Sequence, residues 1–97
     1  MLSRHAEEKV RLRGLSVELI KHVLNNPDQL YFDSASGLFV GMKIAEFRGE
    51  KAPIVVVYRI ERGSYYVVTA YPCREFDSET ERKVKKGRWI SVRRRGS

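Results

Sequence analysis

Residues 54–71 read IVVVYRIERGSYYVVTAY, two β-rich runs joined by four residues. Two runs of this composition with so short a connection close as an antiparallel hairpin, with Gly63 supplying a positive φ in the turn. IVVVYRI is almost wholly apolar, as expected of an interior strand covered on much of both faces. Pro72 cannot donate to a ladder and closes the second run. Strict alternation along that run predicts Tyr65, Val67, Thr69 and Tyr71 on one face.

Upstream, LFVGMKIAEF alternates loosely, with Leu38, Val40, Met42 and Ile44 on one face and Phe39, Gly41, Lys43, Ala45 and Phe47 on the other. Gly41 marks a bulge or a close approach. QLYF is a short strand, DSASG a turn, and RGEKAP a solvent turn ahead of the hairpin. Before Pro27 the period is helical. In GLSVELIKHVLNNPD, Val17, Ile20, Val23 and Leu24 make an apolar stripe, Ser16 serves as N-cap, and Leu15 with Ile20 has staple spacing. SRHAEEKVRLRG reads as a shorter surface helix, capped by Ser3, stopped by Gly14, with Leu2, Ala6 and Val10 on its inner side.

Helices ahead of a strand meander imply an α+β fold, two N-terminal helices packed on a four- or five-stranded, mainly antiparallel sheet whose other face stays partly open. The 97 residues suffice for one domain, 1–97, with a basic C-terminal segment at 79–97. There, DSETERKVKKG suits a short helix capped by Asp77 or Ser78, and RWISV a final strand or a docked tail. Hydrophobic residues make up 42% of the chain, enough for a folded core rather than disorder. A single cysteine forms no internal disulfide and suits a reducing compartment. No apolar run reaches the roughly 20 residues of a membrane helix, and MLSRHAEEKVRLRG lacks the apolar core of a signal peptide. The expectation is a soluble, cytoplasmic protein that does not contact membranes.

Charge gives the first functional direction. The net charge is +7, and the segment from Glu79 to Ser97 holds eight basic residues against two acidic ones. A cationic quarter attracts a polyanion or an acidic protein; a solvated tail is the plain alternative. Lys86, Arg88 and Trp89 form a basic-aromatic cluster suited to nucleic acid, Arg93 and Arg94 extend it, and Arg13 is a further nucleic-acid-binding candidate. His5 and His22 fall on different helices and, with Cys73, lack metal-ligand spacing. No glycine-rich phosphate loop is present.

Metal-independent RNA cleavage by attack of the 2′-hydroxyl needs a proton acceptor, a proton donor and cations facing the phosphorane. His5 is the proton-transfer candidate. Arg59 interrupts an apolar strand and needs a phosphate, solvent, or a carboxylate such as Glu46 or Glu61. Thr69 and Tyr71 can orient a substrate or simply finish a sheet surface. This chemistry calls for no metal and no cofactor.

RHAEEKVRLRGLSVELIKHVLNNPD, followed by strands ending in YYVVTAY, resembles a family of small RelE/ParE-like proteins. In that pattern a helix opens with His, a glutamate and a basic residue follow, an Arg-Gly-[Leu/Ile]-Ser turn starts the next helix, and the last core strand ends in Val-Thr-X-Tyr. The matching positions are His5, Glu8, Lys9, Arg13, Gly14, Ser16, Pro27, Thr69 and Tyr71, with Lys9 standing where arginine is more usual. The likeness covers residues 4–71. It implies the RelE-like toxin fold, an endoribonuclease acting on free or ribosome-associated RNA, and an antitoxin partner from a toxin–antitoxin or mobile-element system. The basic and tyrosine residues that such toxins use near the C-terminal end have no residue-by-residue counterpart in CREFDSETERKVKKGRWISV. A non-catalytic nucleic-acid- or protein-binding module stands as the alternative.

Overall fold

The computed structural model describes residues 4–92, the side chains of Arg4, His5, Ala6 and Lys9 excepted. The order is α1 (Arg4–Leu12), α2 (Val17–Asn25), β1 (Gln29–Asp33), β2 (Leu38–Phe47), β3 (Glu50–Glu61), β4 (Ser64–Pro72), α3 (Phe76–Lys85) and β5 (Trp89–Ser91). The five strands pair antiparallel in the order β4-β3-β2-β1-β5, and the two N-terminal helices pack on the sheet in a RelE-like topology.

Local chemistry explains the helical pair. Gly14 ends α1 at φ +74, a conformation that costs glycine nothing. Two residues on, the Ser16 hydroxyl accepts from the Leu19 N–H at 3.1 Å and caps α2. Val10, Leu15, Ile20 and Val23 are buried together against Ile54, Val56, Tyr58, Val67 and Ala70 of β3 and β4. The Ser3 cap and the inward placement of Leu2 and Ala6 lie outside the described residues.

Two sequence expectations change and a third is sharpened. First, RGEKAP is not a loop. Only Arg48 and Gly49 turn the chain, both at positive φ, and Phe47 already pairs with Glu50. This is the two-residue hairpin whose twist matches its strands, so β3 begins at Glu50 and carries Pro53 within it. Arg62 and Gly63 repeat the device between β3 and β4.

Second, the bulge lies at Val68, not Gly41. Val57 pairs with Thr69 and Tyr58 with Val67, leaving Val68 as the extra residue. Gly41 keeps regular pairing, and a Cβ there would meet Tyr58, Pro27 and Val23 at ordinary contact distances of 3.7–3.8 Å. Because one residue reverses the alternation, Thr69 and Tyr71 face away from Val67 instead of sharing its side.

Third, the second face stays only partly open: α3 forms its covered part, while Ile44 and Arg59 remain exposed on it. Phe76 of α3 is buried with Val40, Met42, Val55 and Trp89, while Tyr31, Val57, Tyr71 and Cys73 pack around them. Neither Asp77 nor Ser78 caps α3; Glu75 occupies the N-cap position without a side-chain hydrogen bond. RWISV contributes the edge strand β5, through pairs from Asp33–Trp89 to Tyr31–Ser91. Among the described residues, no helix is long and apolar enough to cross a membrane.

Candidate functional site

The motif residues separated by most of the chain meet at the free edge of β4. α1 packs near β4, and Arg13 leaves its C-terminal end to reach that edge. Its Nη1 donates to the Thr69 hydroxyl at 2.8 Å and to the Ala70 carbonyl at 2.9 Å. Its guanidinium also stands 5.9 Å from the centre of the Tyr71 ring. A guanidinium carries five N–H donors, so Nε and Nη2 keep three after these two bonds. Both acceptors are neutral. Among the described residues, no carboxylate lies within ion-pair distance of Arg13 or Arg48.

Arg48 arrives from the β2–β3 turn. Its Nη2 would stand 3.2 Å from a Cβ on Gly14, and its guanidinium lies 5.1 Å from the Phe47 ring centre. The missing side chain at Gly14 therefore gives Arg48 its place beside the residue that follows Arg13. Arg13, Phe47, Arg48, Tyr71 and Pro72 bound an open cleft of about 350 Å³. It holds two cations and no acid.

Tyr71 links this cleft to an acidic group. Burial, then the charges of Glu79 and Cys73, push its phenol above the ordinary value of 10.0, against the opposing pull of Arg13. The phenol therefore stays protonated at neutral pH and is a hydrogen-bond donor there. Cys73 is likewise held as a thiol, by burial first and then by Glu79, whose carboxylate lies 3.6 Å from Sγ. Glu79 in turn pairs with Lys83 at 3.5 Å. A protonated thiol beside a carboxylate is the opposite of an activated cysteine nucleophile.

The remaining expected site residues disperse. Arg59 shares the sheet face of Val57 and Thr69 by register, but it stands four residues along β3 from Val55, the partner of Tyr71. That spacing is about 13 Å of strand. It pairs with Glu61 at 3.1 Å and lies over the Tyr66 ring at 5.6 Å, so its carboxylate partner is one of the two expected. Arg88 is bound to Asp33 at 3.3 Å. Trp89 is only 3% exposed and stacks on Tyr31, with ring centres 5.6 Å apart. It is core, and a base cannot stack on it in this fold. Lys86 is exposed at the C-cap of α3. His5 belongs to α1, its side chain outside the described residues, as are Arg93 and Arg94. Among the described residues, no cluster of three or more His, Cys, Asp or Glu has the geometry to hold a metal ion.

Sequence reading missed Arg48 and Glu79. Arg48 was legible only through its Arg-Gly turn signal, which Arg62-Gly63 shares. Nothing local announces that one of these turns folds back onto Gly14. The architecture is consistent with a small toxin-fold superfamily. No curated protein and no solved structure matches the chain significantly. The model of DUF4258, a domain of unknown function, matches residues 2–72, and it is to this family that the chain belongs.

Proposed function

We propose that this chain is a RelE/ParE-like domain that binds RNA at the β4 edge and cleaves it without a metal ion. One observation carries the reading. Arg13 is held by two neutral acceptors, while its charge and three donors stay uncommitted among the described residues. A fixed, charge-unpaired guanidinium suits a phosphate, which it can meet with two parallel hydrogen bonds.

In the reaction, the 2′-oxygen forms a bond to the adjacent phosphorus as the bond from phosphorus to the 5′-oxygen breaks. A 2′,3′-cyclic phosphate and a 5′-hydroxyl result. Arg13 stabilises the charge on the phosphorane. Tyr71, kept protonated, gives its proton to the leaving 5′-oxygen, and His5 accepts the 2′-hydroxyl proton. Thr69 fixes Arg13. Arg59 and Lys86 contact phosphates farther along the chain, joined by Arg93 and Arg94. An antitoxin covering this edge would block the contacts of Arg13 and Tyr71.

The test is cleavage of end-labelled RNA by purified protein, with and without ribosomes. Arg13→Ala and Tyr71→Phe should each slow cutting by about 100-fold or more while leaving the fold intact. RNA that is bound in a salt-dependent way but never cut removes the catalytic claim. A binding-only module then stands. Absence of binding removes both.

A further inference from the structure

We propose that the cleft between the β2–β3 turn and the end of β4 is a nucleotide subsite, with a phosphate between Arg13 and Arg48 and the attached sugar and base along Phe47, Tyr71 and Pro72. It rests on the anionic reading of Arg13, and it holds whether or not RNA is cut.

Charge comes first. Two guanidiniums brought to one cleft without a carboxylate repel each other, and an anion between them removes that repulsion. Arg59, Arg74 and Arg88 each have a carboxylate within 3.3 Å. Arg11, Arg62 and Arg82 share the lack of one among the described residues, so what sets Arg13 and Arg48 apart is that both line one cleft. The turn conformation does not single out Arg48, because Arg62 adopts nearly the same positive φ. What does is its seat against Gly14, where a β-carbon would crowd its Nη2.

Shape comes second. The other three lining residues are aromatic rings and a proline, and the volume of about 350 Å³ falls within the range of small-molecule sites. Inorganic phosphate would use the guanidiniums and ignore that wall. A nucleoside monophosphate uses both. Each guanidinium already lies over one ring, Arg13 over Tyr71 and Arg48 over Phe47. These ring contacts limit the cations' freedom and leave their N–H edges to meet the phosphate.

The experiment is a calorimetric and NMR titration of the full chain with AMP, UMP, adenosine and inorganic phosphate. AMP and UMP should bind about tenfold tighter than phosphate, adenosine should bind least, and the shifts should centre on Arg13 Nε–H, Gly49 and Thr69. Arg48→Asn tolerates the positive φ of the turn and removes the cation; it should weaken AMP by about tenfold. Arg48→Lys should recover only part of that loss, and Lys21→Ala, on the exposed side of α2, should change nothing. Phosphate binding equal to AMP would overturn the role of the wall, and unchanged AMP affinity in Arg48→Asn would overturn the site. AMP binding without RNA cleavage leaves this inference standing and the enzymatic reading fallen; cleavage without AMP binding does the reverse.

Discussion

Arg13 and Thr69 lie 56 positions apart and are joined by a 2.8 Å hydrogen bond from guanidinium to hydroxyl. The bond ties the end of the first helix to the free edge of the sheet and aims the remaining donors of Arg13 outward. Thr69→Val keeps the shape and removes the acceptor, so it should cost about 1 kcal/mol in urea denaturation. RNA affinity should fall with it, and Thr69→Ser should restore both. Full RNA affinity in Thr69→Val would show that Thr69 positions nothing.

Tyr71 and Cys73 predict an alkaline limit. Both have folded-state values raised above their ordinary 10.0 and 9.0, mainly by burial. Below about pH 8 neither group changes stability with pH. Above it the unfolded chain releases these protons first, and stability falls as pH rises toward the folded values. Urea midpoints should be flat from pH 7 to about 8 and then decline, less steeply in Tyr71→Phe. An identical decline in that variant would remove Tyr71 as a cause.

Asp33 predicts the acid side. Burial alone would raise its carboxyl, but the Ala35 N–H, the Arg88 guanidinium and the Ser36 N–H outweigh burial and hold it below 3.8. The linkage sign is therefore reversed. The stabilisation is complete above the ordinary value and is lost as pH falls through the folded one. Asp33→Asn should cost about 1–2 kcal/mol at pH 7 and flatten the acid limb of a denaturation profile. Arg88→Ala should affect stability more than RNA affinity; the reverse result would return Arg88 to the binding surface.

The adjacent valines of β4 are unequal, with Val67 in the core and Val68 at the bulge. Val67 is 3% exposed and Val68 is 39% exposed. Val68→Lys should stay within about 0.5 kcal/mol of the parent, whereas Val67→Lys buries an unpaired charge and should prevent folding at ordinary temperatures. Thermal melts of the two variants decide it, and equal melting temperatures would disprove the assigned phase.

Trp89 is the chain's one tryptophan and gives a direct optical check. Buried against Tyr31 and Phe76, it should emit at short wavelength, and saturating RNA should leave that emission unchanged. Trp89→Ala should cost about 3–5 kcal/mol. Trp89→Phe should cost much less, because the indole N–H has no partner among the described residues. Strong quenching by RNA would place Trp89 at the interface after all.

What the sequence determined by itself is what short-range chemistry specifies. The helix from Val17 to Asn25, the Ser16 cap and the Arg62-Gly63 turn each follow from a few neighbouring residues; of the apolar stripe, Ile20 and Val23 are buried, while Val17 stays 42% exposed. The two helices on an antiparallel sheet follow from their order. The site was half legible. Thr69 and Tyr71 stood out by type and position, but the arginine beside them is Arg13, not Arg59, since bringing them together takes a contact across most of the chain. Tertiary structure also decided the phase of β4, because a bulge depends on pairing with β3 and leaves no mark in the run YYVVTAY. It decided that β4 is an edge, that α3 covers part of the second face, and that Trp89 is core. Arg48 shows the reason most plainly: its own turn is local, but its guanidinium comes to lie against a glycine 34 positions earlier, and no local signal announces that approach.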